Sequence, residues 1–159
     1  MLPHAMTKLQ KELKQTRPFR SLEEEVILNL ARTTEHVSAQ LTAVLKPSEL
    51  TLTQYNVLRI LRGAGAEGLP CGEISERMVT KDSDVTRLLD RLDKMGLITR
   101  ERPETNRRLV VTRITDEGLG VLGKLDDPVQ EANRAAAGHL GSKRLKALNE
   151  MLEELRSAS

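Results

Sequence analysis

The chain has 159 residues, with 25 Lys or Arg against 23 Asp or Glu and a net charge of +2. That length suits one compact domain, or a small domain plus an assembly region, with material for a substantial core. A single cysteine, Cys71, excludes a disulfide framework and a multi-cysteine zinc site, and the only aromatic residues, Phe19 and Tyr55, are too few for a surface that stacks single-stranded bases.

Residues 1–20 hold five Lys or Arg and one Glu, which predicts a short helix or mobile arm; the second methionine, Met6, leaves room for a vector remnant at the start. Ser21 and Glu24 have capping-box spacing. Apolar residues at Val26, Ile27, Leu30, Val37, Leu41, Val44 and Leu45 then predict a helix to about Lys46, stopped by Pro47. A helix this long, without a bundle of its own, predicts that part of its stripe meets a second subunit.

Thr53 is expected to cap the next helix, with Leu52 and Val57 forming a hydrophobic staple and Val57, Leu58, Ile60 and Leu61 facing inward. The glycines from Gly63 to Gly68 end it in a loop. A short helix from about Gly72 to Met78 and a turn from Val79 to Ser83 lead to a longer helix, about Asp82 to Met95. Its apolar residues Val85, Leu88, Leu89, Leu92 and Met95 recur on one stripe. Gly96 ends that helix, Leu97–Arg100 and Leu109–Thr115 read as strands, and the segment between them is a basic, turn-prone tip. Two helices joined by a brief turn and followed by a basic hairpin describe a winged helix-turn-helix.

Thr115 caps a further helix with Asp116 and Glu117 in its first turn, and Leu119, Val121, Leu122 and Leu125 form its apolar band. Asp127-Pro128 is expected to kink or restart it. After a break at Gly138–Gly141, Ser142 is read as the cap of a last helix with leucines at 145, 148, 152 and 155. The fold class is therefore mainly α with a small β-hairpin (α+β). Residues 50–115 form the winged-helix lobe, and residues 21–46 and 116–159 form a helical dimerisation region.

Charge is unevenly spread. From Arg87 to Arg113 there are eight Arg or Lys against four Asp or Glu, whereas Ser21 to Gln40 has four Glu against one Arg. Concentrated cations suit phosphate contact. No apolar run is long enough to cross a membrane and no cleavable leader is seen, so a cytoplasmic protein without a membrane partner is expected.

The stretches Asp84–Leu92, Gly96–Arg100, Asn106–Arg108 and Ile114–Gly118, in this order and spacing, resemble the MarR family of bacterial transcriptional regulators. The resemblance implies a homodimer that grips a pseudo-palindromic DNA duplex, regulates transcription as a repressor, and is no enzyme. It places the helix beginning near Asp82 in the major groove, with Asp82, Ser83, Asp84 and Arg87 as base-contact candidates and Thr86 and Arg91 beside them. Arg108 matches the wing arginine that enters the minor groove, and Arg107 flanks the backbone. At Asn106 the chain departs from the family, which usually has an aspartate that orients the wing arginine. Family effectors, often small phenolic or aromatic anions, bind between the dimer helices and the lobe, where Arg32, His36 and Tyr55 are the candidates. No cofactor, metal or catalytic residue is expected. Alternatives from the same residues are capping rather than base contact for Asp82 and Asp84, a metal held by the same two aspartates for phosphodiester chemistry, for which no third carboxylate or histidine completes a site, a thiol sensor at Cys71, and an anti-regulator that binds protein or ligand on the same scaffold without binding DNA.

Overall fold

The computed structural model describes residues 6–81, 84–102 and 109–157, in two compact units, one up to residue 39 and one from residue 40 on. In the first unit Thr7 caps a short helix, α1 (Lys8–Glu12). Its hydroxyl accepts from the Gln10 amide at 3.3 Å, and the Gln10 side chain accepts from the Thr7 amide at 2.8 Å. Gln10 Nε2 also donates to the Arg17 carbonyl at 3.2 Å, which ties the following segment back onto the helix. The long helix α2 (Leu22–Leu45) starts in this unit and continues into the second. Ser21 Oγ accepts from the Glu24 amide at 3.2 Å, but the Glu24 carboxylate reaches the Arg20 amide at 2.6 Å, one residue beyond the expected partner.

In the second unit a 3-10 turn, Lys46–Ser48, closes α2 at Pro47. α3 (Leu52–Ala64) is capped by Thr51 and not by Thr53. Thr51 has a glutamine three residues on, so hydroxyl and amide bond reciprocally with Gln54 at 3.2 and 2.9 Å; a cap at Thr53 would lack that partner. The strand β1 (Leu69–Pro70) leads into α4 (Cys71–Arg77), and α5 (Val85–Lys94) follows. β2 (Ile98–Glu101) is shifted one residue from the stretch the sequence suggests, and β3 (Val111–Ile114) is shorter than it. α6 (Asp116–Ala137), a 3-10 turn at Gly138–Leu140 and α7 (Gly141–Ser157) complete the chain.

The sheet has the antiparallel order β1-β3-β2, with Leu69 opposite Thr112 and Ile98 opposite Ile114. The sequence reading missed β1 because two residues, one of them proline, carry no alternation to detect. Gly68 turns the chain into β1 at φ 66°, and a Cβ there would lie 2.5 Å from the Thr112 carbonyl oxygen, so only glycine lets this strand close on β3.

The core of this unit is built from leucine, isoleucine, valine and methionine. Val57, Leu58 and Leu61 of α3, Ile74 of α4, Leu89 and Leu92 of α5, and Leu122 of α6 are fully enclosed. Three expectations fail at its edge. Met95 is 38% exposed because the helix ends at Lys94 and Met95 is its C-cap. Leu119 faces outward, while Val129 joins the core. Pro128 neither breaks nor restarts α6: it and Lys124 lie on the exposed side, where water can satisfy the carbonyl freed by the missing amide, and Leu125 and Val129 stay packed on either side. Ser142 lies inside the first turn of α7, which begins at Gly141.

Candidate nucleic-acid interface

α5 is the element on which the site is built. Val85, Leu88, Leu89 and Leu92 bury one side, which turns Thr86, Arg87, Asp90, Arg91 and Lys94 outward. Asp84 caps the helix, its Oδ1 accepting from the Arg87 amide at 3.1 Å. Asp82 and Ser83 lie outside the described residues, as do Asn106, Arg107 and Arg108 of the wing tip. Arg87 and Arg91 line a groove of about 220 Å³ whose opposite wall is the start of α3, Thr51 and Thr53, with their hydroxyls 3.0 Å apart. The sequence reading took Thr53 only as a helix cap, passed over Thr51, and placed neither at the site. The signal was present: a threonine three residues before a glutamine marks a helix start, and this start lines the same groove as Arg87, Arg91 and the Asp84 carboxylate.

α4 and α5 are set against α3 by side chain as well as by core. Asn56 Oδ1 accepts from the Val79 amide at 2.9 Å, fixing the turn that leads toward α5. The sheet is held at two corners. Arg100 of β2 pairs with Asp90 of α5. Arg113 of β3 donates to the Ala66 carbonyl at 2.7 Å and to Glu101 at 3.1 Å. Two of the arginines that made the wing look basic are therefore engaged within the chain. Thr115 links wing and helix: its hydroxyl donates to the Gly96 carbonyl at 2.8 Å and accepts from the Gly118 amide at 3.1 Å.

The three effector candidates fall in different places. Arg32 and His36 lie one turn apart on α2, on a groove of the first unit shared with Asn29, Thr33, Lys8 and Glu12. Tyr55 belongs to α3 in the second unit, where the Arg59 guanidinium lies 5.9 Å from the centre of its ring. Cys71 is half-buried at the start of α4 and packs on the core, in keeping with a small apolar filler. Among the described residues no group of three or more His, Cys, Asp or Glu could hold a metal ion, and no helix is long and apolar enough to cross a membrane. On the surface, α2 exposes Leu22 and Ile27, and α7 exposes Leu148, Met151 and Leu155.

Comparison with known proteins agrees with this geometry. A family model described as MarR family matches residues 50–110. A solved MarR transcription factor from Planctomyces limnophilus is 38% identical, with 86% of this chain and 98% of that one covered and a TM-score of 0.67. The HTH-type transcriptional regulator FarR of Neisseria gonorrhoeae is 25% identical over 138 residues, covering 87% of this chain and 93% of that protein. Sco3205, a MarR family transcriptional regulator from Streptomyces coelicolor solved in complex with DNA, shares the fold at a TM-score of 0.78 and 21% identity, with 89% of this chain and 91% of that one covered.

Proposed function

The chain belongs to the MarR family of transcriptional regulators, and from that premise we propose that it is a sequence-specific, homodimeric DNA-binding repressor of the cytoplasm. The observation that carries this reading is α5, whose buried stripe fixes Thr86, Arg87 and Arg91 on one exposed face beside the threonines of α3. In a symmetric dimer two such helices, about 34 Å apart, enter successive major grooves. Arg87 reads a base edge, with Asp84 and the preceding Asp82 and Ser83 at the same end of the helix. Thr51, Thr53 and Arg91 meet phosphate, because the α3 start offers amides and a positive dipole end to an anion. Arg107 and Arg108 belong to the wing tip and follow the minor groove and the backbone beside it, by resemblance to the family.

The exposed leucines of α7 and the exposed apolar residues at the start of α2 support the dimer. Exposed apolar side chains on each of these helices are unfavourable in water and are relieved by a second copy. Residues 21–46 and 116–159 would supply that interface, while 50–115 forms the reading lobe. The groove bearing Arg32 and His36 supports a small anionic effector in the first unit. A ligand that favours a different spacing of the two α5 helices would cost one set of groove contacts and release the DNA.

The test is selection of duplexes from a random pool by the full chain, followed by titration at rising salt. The expected result is one enriched palindromic sequence, with affinity falling about a thousandfold or more between 50 and 200 mM salt if six or more phosphates are contacted. Arg87→Ala should broaden the enriched sequence. A chain that enriches no sequence and binds duplex DNA without salt dependence is not a DNA reader.

A further inference from the structure

Arg87, Asp90, Arg91 and Lys94 stand at spacings of three, four and seven residues on the exposed side of α5. Asp90 thus puts a carboxylate in the middle of the cationic row that would face DNA phosphates, where an unengaged negative charge is unfavourable. It is not unengaged: the Arg100 guanidinium of β2 holds it. Arg100 is the more enclosed partner, its side chain 22% exposed against 52% for Asp90. Its Nε is buried without a hydrogen-bond partner, next to Thr112, whose Oγ1 is buried and unpartnered too. The chain between α5 and β2 is only Met95, Gly96 and Leu97, and Gly96 sits at φ 72° with no atom within 4 Å of where a Cβ would be. The turn itself is pinned, Leu97 N donating to the Leu92 carbonyl at 3.1 Å and Thr115 holding the Gly96 and Leu97 carbonyls, but those bonds stop at Leu97, and Arg100–Asp90 is the side-chain pair that ties the strand beyond the turn to the exposed side of α5.

We infer that Arg100 is a positioning residue that clamps the wing onto the reading helix through Asp90, and that Asp90 is retained on the DNA-facing side for this purpose. The clamp sets the angle between the two elements that enter the DNA grooves and removes the carboxylate charge from the phosphates. This rests on the DNA-reading function proposed above. Arg100 itself is consumed by the pair and is not one of the arginines that contact DNA.

Asp90→Asn separates positioning from plain charge. It adds one positive charge to the face presented to DNA, so charge alone predicts tighter binding and a steeper salt slope. Loss of the clamp predicts the opposite for the selected duplex: affinity about tenfold weaker, the scale of one misplaced base contact, with binding to random duplex unchanged or tighter. Arg100→Gln should weaken the selected duplex similarly, and the double variant Asp90→Asn with Arg100→Gln should lose clearly less than the two single losses combined. Hydrogen exchange of residues 96–101 and 111–114 needs no DNA and should be faster in both single variants at unchanged global unfolding. If Asp90→Asn binds the selected duplex as tightly as the parent, or the losses simply add, or exchange is unaltered, the clamp is overturned. A parent chain that binds no duplex would sink the DNA-reading function while the exchange measurement still decides whether the pair holds the wing.

Discussion

Three glycines in α6 should respond to the same substitution with opposite signs. In an exposed helix, Gly→Ala gains about 1 kcal/mol from propensity, and nothing lies within 4 Å of a Cβ at Gly120 or Gly123. Gly118 differs: a Cβ there would stand 2.4 Å from the Leu97 carbonyl oxygen and 2.7 Å from Ile114 Cγ1. The carbonyl cannot retreat freely, because the Thr115 amide donates to it at 3.1 Å. Overpacking costs about 1–3 kcal/mol; two contacts under 3.0 Å, one of them backbone, put this site in the upper half of that range, about 2–3 kcal/mol, so after the propensity gain Gly118→Ala should lose about 1–2 kcal/mol net. For a chain of this size that lowers Tm by roughly 3–6 °C, whereas Gly120→Ala and Gly123→Ala should each raise it by about 2–4 °C. Thermal unfolding followed by circular dichroism reads all three. If Gly118→Ala matches or exceeds the parent in stability, α6 does not press on the α5–β2 turn as described.

Thr115→Val removes a helix cap and the donor to the Gly96 carbonyl and should cost about 1–2 kcal/mol in denaturant titration. The Arg62 guanidinium bonds Asp126 at 2.9 and 3.0 Å and holds its carboxyl below the ordinary value. A depressed carboxyl stabilises above its unfolded value and loses that contribution as pH falls through the folded one. Asp126→Asn should therefore lower Tm by about 1–2 °C at neutral pH, as expected of a half-exposed pair, and the difference should shrink as the solution is acidified through the range in which the Asp126 carboxyl takes up its proton. Leu148→Glu with Leu155→Glu should raise the monomer fraction in sedimentation velocity, since both leucines are exposed on one chain; an unchanged fraction would remove α7 from the interface. Arg108→Ala should weaken duplex binding about evenly across sequences and leave unfolding unaltered.

The reading lobe was legible because its signals are local. The stripe from Val85 to Leu92, the left-handed glycine at 96 and the cap at Thr115 each lie within a few residues of what they control, and all three stand where expected. What escaped was set by distant partners. β1 exists because β3 offers it an edge, and Pro128 is tolerated because the core lies on the other side of α6. Counting arginines overstated the cationic surface, since Arg100 and Arg113 meet their acceptors across the sheet. The cap of α3 was misread by two residues because two threonines compete there, and only Gln54 distinguishes them. The basis of recognition at Asp82, Ser83, Arg107 and Arg108 falls outside the described residues, so the family resemblance carries those assignments.

A core without aromatic residues also explains why the directional contacts matter. Leucine, isoleucine and valine fill space at low cost, but many arrangements of such side chains have similar energy, so packing alone specifies position weakly. Here the relative placement of α5, the sheet and α6 is fixed at the rim by contacts that tolerate little displacement: Thr115 to the Gly96 carbonyl, Arg100 to Asp90, Arg113 to the Ala66 carbonyl, and a glycine at 118 that admits no side chain. Each has its partner on a different element, and Gly96, Asp90, Leu97 and Ile114 lie on or beside the parts that would touch DNA. The leucine core supplies the bulk of the stability, whereas the rim contacts set the angle between reading helix and wing. Substitutions at the rim should therefore change DNA affinity by more than their stability cost implies, and conservative exchanges within the core should do the reverse.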